Sequence, residues 1–315
     1  MPAVPRLLRR LKPAYALYNV FQRDRLRHNV PLYRALGLDK RYFSPVSSAD
    51  FAGLPQPEDP ASSAAAQERL ADSPAFRRLS AAAQDSLRAF GREGYAVLPG
   101  FVDAAEVAAV NAEFDALAAA GTVQPINGAK YMFAFRHSPR LRALGEGDLQ
   151  VLATALLGSE AALFQSINFL TGSQQPTHSD SIHMSTYPLG GLVAAWVALE
   201  DVTAEQGPLH YYPGSHTLPY YLNADYDNAG GRLLIGARDY RAYEEMIARE
   251  VAARGLRKEV FEARAGDVFL WHANLLHGGE PHRDRSRTRR SVVYHYFGRG
   301  HVCYHEITQR PALLS

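Results

Sequence analysis

Three short stretches in the second half of the chain carry side chains able to do chemistry together. The first is His178-Ser179-Asp180. In extended backbone, residues two apart face the same side, so an imidazole and a carboxylate at this spacing can reach one metal ion. The second is His277, near the end of the run Gly266-Asp267-Val268-Phe269-Leu270-Trp271-His272-Ala273-Asn274-Leu275-Leu276-His277-Gly278-Gly279. An apolar strand delivers the chain to this imidazole, and the glycines are expected to turn it away. Two histidines and one carboxylate cover one face of an iron(II) ion and leave the opposite positions open. Oxygen activation requires such positions, because a cosubstrate and O2 must both bind. The third stretch is Arg289-Arg290-Ser291, opening the next strand. A guanidinium there could grip a carboxylate with two hydrogen bonds. A keto acid chelating the iron at one end would offer it the carboxylate at the other.

Each piece has a plainer reading. An H-x-D triplet is common, and a histidine in an apolar strand is usually core or surface. Arg287, Arg289 and Arg290 could form a solvated basic turn with Arg283 and Arg285. The order is far more specific than the parts: H-x-D, a long interval, a second histidine after an apolar strand, then an arginine. His183 extends the triplet to H-x-D-x-x-H and is a rival to His277, although a place facing substrate or supporting the ligands suits it better. His216, in Pro-Gly-Ser-His, is expected to stabilise its loop, and Asp267 to serve the Gly-Asp turn before its strand. His272, His282, His295 and His301 have no partner pattern. Trp196 reads as core more than as a substrate contact.

The elements that must position these residues fall into two halves. The first reads helical. Ala64 to Phe90 is rich in good helix formers, with Pro74 starting or kinking a helix. Gly91 to Gly94 closes that region, and Tyr95 to Leu98 is a short strand ended by Pro99-Gly100. Asp103 is a candidate N-cap, with Glu106 three residues on, for a helix to about Ala120. From about Gly158 the pattern becomes short apolar runs: Ala161 to Leu170, Leu192 to Leu199, Lys258 to Glu262, Asp267 to Trp271 and Ser291 to Phe297. Turn signals at Gly172, Gly190-Gly191, Pro213-Gly214, Gly266-Asp267 and Gly278-Gly279 separate them. That spacing predicts a sandwich or barrel rather than a βαβ sheet. A helical insert, residues 218–257, interrupts the strands. Its Tyr220, Tyr221, Tyr226, Tyr240 and Tyr243 either pack the insert or line a substrate mouth. The expected organisation is a basic helical arm over 1–60 and one domain over 61–315, with helical support at 61–157 and a β core at 158–315.

Composition narrows the class. The chain has 315 residues, 47% hydrophobic and 21% charged, with a net charge of +2. These values describe an ordinary globular protein and exclude collagen-like, coiled-coil or disordered chains. No run of about 18 apolar residues occurs, so no membrane-spanning helix is expected. The single cysteine, Cys303, excludes an intramolecular disulfide and leaves any metal to nitrogen and oxygen donors. Met1 to Lys12 lacks the apolar block of a secretory signal, and a cytoplasmic location is the default expectation. Charge is uneven: through Lys40 nine basic residues face two acids, +7, leaving 25 basic against 30 acidic, −5. Such a leader could touch a membrane surface or an acidic partner. The expectation is instead an arm packed on the domain through Leu7, Leu8, Leu11, Tyr15, Leu17, Val20 and Phe21. The near-neutral whole gives no case for nucleic acid.

From about Phe90 onward the sequence resembles the phytanoyl-CoA dioxygenase family of iron(II)/2-oxoglutarate oxygenases, which includes ectoine hydroxylases. The resemblance rests on F-G-R-E-G-Y-A-V-L-P-G-F (Phe90 to Phe101), His178 to Asp180 and W-V-A-L-E (Trp196 to Glu200). It extends through G-P-L-H-Y-Y-P-G-S-H (Gly207 to His216) and Gly266 to Gly278 with Arg289-Arg290-Ser291. It implies an α+β protein, mainly β with flanking helices, whose core is a double-stranded β-helix of the jelly-roll or cupin type. It implies iron ligands His178, Asp180 and His277, a clamp for the 2-oxoglutarate carboxylate at Arg289 with Arg290 as rival, and a cosubstrate-binding glutamine at Gln165. The implied reaction hydroxylates a C–H bond of a small organic substrate with O2, releasing succinate and CO2. Related halogenases carry a small residue at the acid position, so Asp180 favours hydroxylation. Two other classes remain: a cupin-like metal hydrolase or isomerase, which would need no Arg289, and a non-catalytic binding protein of the same fold.

Overall fold

The structure, a computed structural model, describes residues 10–126 and 130–314. Leu7 and Leu8 of the leader, with Arg6 and Arg9, lie outside the described residues. The strands in chain order are β1 (Tyr95–Leu98), β2 (Lys130–Met132), β3 (Ala161–Phe169), β4 (Ser185–Tyr187), β5 (Leu192–Ala198) and β6 (Leu209–Tyr211). They continue with β7 (Glu259–Phe261), β8 (Val268–His272), β9 (His277–Gly279), β10 (Ser291–Gly298), β11 (Val302–His305) and β12 (Arg310–Pro311).

Among the described residues, β1-β8-β5-β10-β3-β2 make a six-stranded sheet, and β7-β6-β9 and β12-β11-β4 make two smaller ones. All the pairings are antiparallel. The large sheet is buried on both faces, which is why β5 reads as an unbroken apolar run. Val193, Ala195 and Val197 join a core shared with the helices. Ala194, Trp196 and Ala198 face the opposite way, with Leu209 and Tyr211 of β6. The space between the sheets is therefore lined by alternate residues of β3, β5, β8 and β10. This is the expected double-sheet arrangement with supporting helices.

The helical support is fixed by local chemistry. The Asp103 side chain accepts from Glu106 N at 2.8 Å and caps the helix Ala104–Ala119. Ser138 caps Pro139–Glu146, with proline in the first turn where no intrahelical N–H is lost. That helix is pinned to the sheet: Tyr294 Oη donates to Leu141 O at 2.8 Å and Tyr296 Oη to Gly145 O at 2.7 Å. Pro74 begins a new short helix, Pro74–Arg77. Gly266 precedes β8 with φ +89°, and an added Cβ would lie 2.0 Å from Val102 O. Only glycine fits that turn without displacing the backbone of Val102.

Two expectations are corrected here. Gly278 and Gly279 do not turn the chain; they continue β9 against β6. Their lack of side chains serves close packing instead, since an added Cβ would meet His210 Cε1 at 2.6 Å or Ser173 Oγ at 2.6 Å. The N-terminal arm packs on the domain, but not through the expected stripe. Leu17, Val20 and Phe21 are exposed, while Asn19, Leu26 and Tyr33 are buried. The reason is that the segment breaks into three short helices, Lys12–Val20, Arg23–Leu26 and Asn29–Ala35, so no single apolar face persists. Tyr33, Val46 and Phe51 pack with Tyr187 of β4 and Val302 and Tyr304 of β11. Among the described residues, no helix is long and apolar enough to cross a membrane.

Candidate metal centre

His178, Asp180 and His277 meet between the sheets. One donor atom from each lies within 4.8 Å of the others, and all three residues are buried. Asp180 Oδ1 is 4.0 Å from His178 Nε2 and 3.9 Å from His277 Nε2. The local backbone explains the meeting. His178 N donates to His277 O at 2.9 Å and His277 N to His178 O at 2.9 Å, an antiparallel bridge that sets the two rings side by side. Ser179 is extended (φ −106°, ψ 151°), so Asp180 returns to the same side as His178 before a 3-10 turn, Asp180–Ile182, begins.

Hydrogen bonds orient each donor. His178 Nδ1–H donates to Pro176 O at 2.9 Å and His277 Nδ1–H to Leu275 O at 2.9 Å. That tautomer leaves both Nε2 lone pairs toward Asp180, as a metal ligand needs. In this structure the Gln175 amide donates to His178 Nε2 at 3.2 Å. Asp180 Oδ2 accepts from Trp271 Nε1 at 2.8 Å, and His295 Nε2 lies 3.7 Å from the same oxygen. One carboxylate oxygen is thus held by the protein while the other faces the two imidazoles.

The electrostatics suit a cation. Burial, then the neighbouring His277, pushes the His178 imidazole well below its ordinary pKa and keeps it neutral. Burial opposes charge on Asp180, but the imidazoles of His277, His295 and His178 outweigh it and hold the carboxyl well below the usual range. Two imidazole nitrogens and one carboxylate oxygen, in a buried cluster without sulfur, fit a non-haem iron(II) ion with positions left open.

Arg289 opens onto the same small cavity of about 80 Å3 and is 3% exposed. Its Nη1 donates to Ser291 Oγ at 2.9 Å, and its guanidinium lies 4.8 Å from the centre of the Trp196 ring. Its Nε has no hydrogen-bond partner among the described residues. Burial lowers its pKa to about 10, partly offset by Glu200, so it stays charged at neutral pH. A buried guanidinium without a direct carboxylate partner is costly, and a bound carboxylate would relieve it. Arg290 points the other way, as the next residue along extended chain must, and pairs with Asp115 at 2.8 Å. Arg289, not its rival, faces the triad.

Other expected residues fall as follows. Gln165 does not share the Arg289 cavity; it lines a larger neighbouring one, of about 330 Å3, together with His183. On β3 it stands opposite His295, and the strand direction carries it past Asp180 and away from Arg289. His183 Nε2 bonds to Tyr240 Oη at 3.0 Å and is not part of the three-donor cluster. Trp196 is core, as expected, yet also walls the Arg289 cavity. Of the insert tyrosines, Tyr226 and Tyr243 pack in one apolar cluster with Tyr221 and Tyr240 against it, and Tyr243 Oη also accepts from Ser179 N at 3.2 Å, which steadies the H-x-D segment. His216 Nε2 bonds to Gly91 O at 3.1 Å, steadying its loop, and Asp267 accepts from Gly100 N at 2.8 Å and Arg264 N at 2.9 Å. Sequence reasoning missed Trp271, His295 and Gln175. Trp271 sits in the quoted β8 run, with its Nε1–H calling for a buried acceptor; the other two carry no local signal.

Residues 90–291 match the family model described as Phytanoyl-CoA dioxygenase (PhyH), a span that includes the triad and Arg289. The chain belongs to the phytanoyl-CoA dioxygenase family. It is 28% identical to phytanoyl-CoA dioxygenase domain-containing protein 1 of Mus musculus over 50% of this chain and 50% of that protein. It is 27% identical to the ectoine dioxygenase of Stutzerimonas stutzeri over 62% of this chain and 70% of that one. Among solved structures it resembles the non-heme alpha ketoglutarate dependent epimerase SnoN from nogalamycin biosynthesis, with TM-score 0.52, 25% identity, and coverage of 78% of this chain and 86% of that one. The match spans about half the length of the mouse relative. Within this family chain, the arm before residue 90 and the strands after 291 lie outside the matched span.

Proposed function

We propose that this chain is an iron(II)- and 2-oxoglutarate-dependent dioxygenase that hydroxylates a C–H bond of a small organic substrate, consuming O2 and releasing succinate and CO2. One observation carries the reading: a buried His-Asp-His cluster shares a cavity with a buried, carboxylate-free arginine. Family membership and the cofactor in the SnoN description support it. A metal hydrolase of the same fold would have no use for Arg289 in that place.

His178, Asp180 and His277 would hold the metal. Iron with 2-oxoglutarate and O2 supplies the oxidising power for C–H cleavage when bound. The protein's own part is positioning and exclusion of water. Arg289, buried against the Trp196 ring and so shielded from water, would receive the far carboxylate of 2-oxoglutarate. Trp271 donates to Asp180 Oδ2, so the acid would offer a metal its other oxygen. The backbone carbonyls of Pro176 and Leu275 fix the imidazole tautomers before any ion arrives. The test is succinate release from 2-oxoglutarate under air by the iron-loaded protein. The reading expects release that stops without iron or O2, and iron-loaded protein that forms no succinate contradicts it.

A further inference from the structure

The larger cavity beside the metal centre is chemically lopsided. Arg25 from the arm, Arg136 from the turn after β2 and Arg310 from β12 all line it, and among the described residues no carboxylate side chain does. Among the described residues, the groups that touch these guanidiniums are neutral. Arg25 Nε donates to Leu314 O at 3.0 Å. Arg310 lies over the Tyr18 ring at 5.0 Å. Arg136 lies over the Phe133 ring at 4.2 Å, and its Nε and Nη2 are buried without a hydrogen-bond partner among the described residues. Burial and the nearby Arg25 and Arg142 lower the Arg136 pKa, the mark of like charges gathered without a counter-ion.

Two further features make this a built site. Phe133, which carries the Arg136 turn, stands in the left-handed region (φ 61°, ψ 26°) although it is not glycine. Such strain persists where the surroundings impose it, and it collects at ligand clamps. The opposite wall is apolar, from Phe164, Met184 and Tyr304. His183 lines this cavity on the side of the metal centre, its ring 5.8 Å from that of His178. Three arginines, from three separate elements, thus bring their charge to one cavity.

We infer that this cavity is the substrate chamber and that it takes a small organic anion, with Arg136 and Arg310 gripping a terminal carboxylate or phosphate and the apolar body reaching past His183 toward His178. Arg25 adds a third positive charge at the rim. A volume of about 330 Å3 suits a small ligand rather than a macromolecule. Arg25 and Arg310 lie outside the matched span 90–291, so the arm and the last strand set the choice of substrate. The cavity's role as substrate chamber rests on the oxygenase reading; its affinity for anions does not.

The test uses the metal-free full chain without 2-oxoglutarate, so its failure and that of the oxygenase reading are separable. Calorimetric titration with octanoate, octyl phosphate, octanol and octylamine is expected to show binding of the two anions, about tenfold or more tighter than the alcohol or amine. The two anions against each other separate a carboxylate site from a phosphate site. Arg136→Gln and Arg310→Gln, on separate elements, should each weaken anion binding about tenfold or more. Arg289→Gln should leave it intact, which places the anion outside the cosubstrate cavity. Equal binding of octanol, no binding of either anion, or unchanged anion binding in both folded variants overturns the proposal.

Discussion

Trp271 Nε1–H donates to Asp180 Oδ2 at 2.8 Å, so the indole, 91 residues further along the chain, decides which carboxylate oxygen faces the two imidazoles. The same ring packs on His277, with centroids 4.8 Å apart. A hydrogen bond to the non-ligating oxygen fixes the rotamer of a metal-binding acid, and its loss typically costs 10–100-fold in metal affinity. Trp271→Phe keeps most of the packing and removes the donor. Competition with a chelator should therefore show iron(II) affinity about 10–100-fold weaker; unchanged affinity would mean that Trp271 only packs.

Arg289 and Arg290 are neighbours with opposite surroundings. Arg289 is buried beside Trp196, whereas Arg290 pairs with Asp115 outside the cavity. Arg289→Gln should raise the KM for 2-oxoglutarate about thirtyfold or more, since it removes one partner of a buried charge pair. Arg289→Lys should recover only part, because a point charge lacks the planar fork. Arg290→Gln should leave that KM nearly unchanged. The reverse pattern would reassign the clamp.

Acid should unfold this protein through its buried histidines. Burial lowers the pKa of His28, His210 and His305 to about 4 and that of His183 to about 3. In the unfolded chain each titrates near 6.5. Between about pH 6.5 and pH 4 the unfolded state binds protons that the folded state refuses, so stability falls as pH falls. Each ring contributes a loss of about 1–3 kcal/mol by pH 4. Glu306 and Glu244, raised by burial, work the other way, but they are two groups against four. The Tm of the metal-free protein should drop steeply from pH 7 to pH 4.5. A flat profile would show that these rings accept protons in the folded state.

Much of the site was legible in the chain itself. The H-x-D spacing, the apolar strand before His277 and the arginine after it are local patterns, set by residues close in the chain, and they can be read without knowing how the strands pair. Asp103 and Pro74 announced their helices for the same reason. The illegible parts depend on register. His295 reaches Asp180 only because β10 pairs with β3 and β5 where it does. Gln165 shares the inner side of β3 with the cosubstrate wall, yet strand direction carries it into the next cavity. The arm's apolar residues showed a helical stripe, but three short helices cannot present one stripe, and Phe21 ends up 79% exposed. Gly278 and Gly279 look like a turn in sequence; the neighbouring His210 and Ser173, distant in the chain, make them strand.

The central claim is that one ferrous ion is held jointly by His178, Asp180 and His277. Equilibrium dialysis of the anaerobic protein against iron(II), followed by metal analysis, tests it most directly. The account predicts one tightly held iron per wild-type chain and none in folded His178→Ala, Asp180→Ala or His277→Ala, with His183→Ala still binding. Retention of stoichiometric iron by any of the first three, or its loss only in His183→Ala, would contradict it.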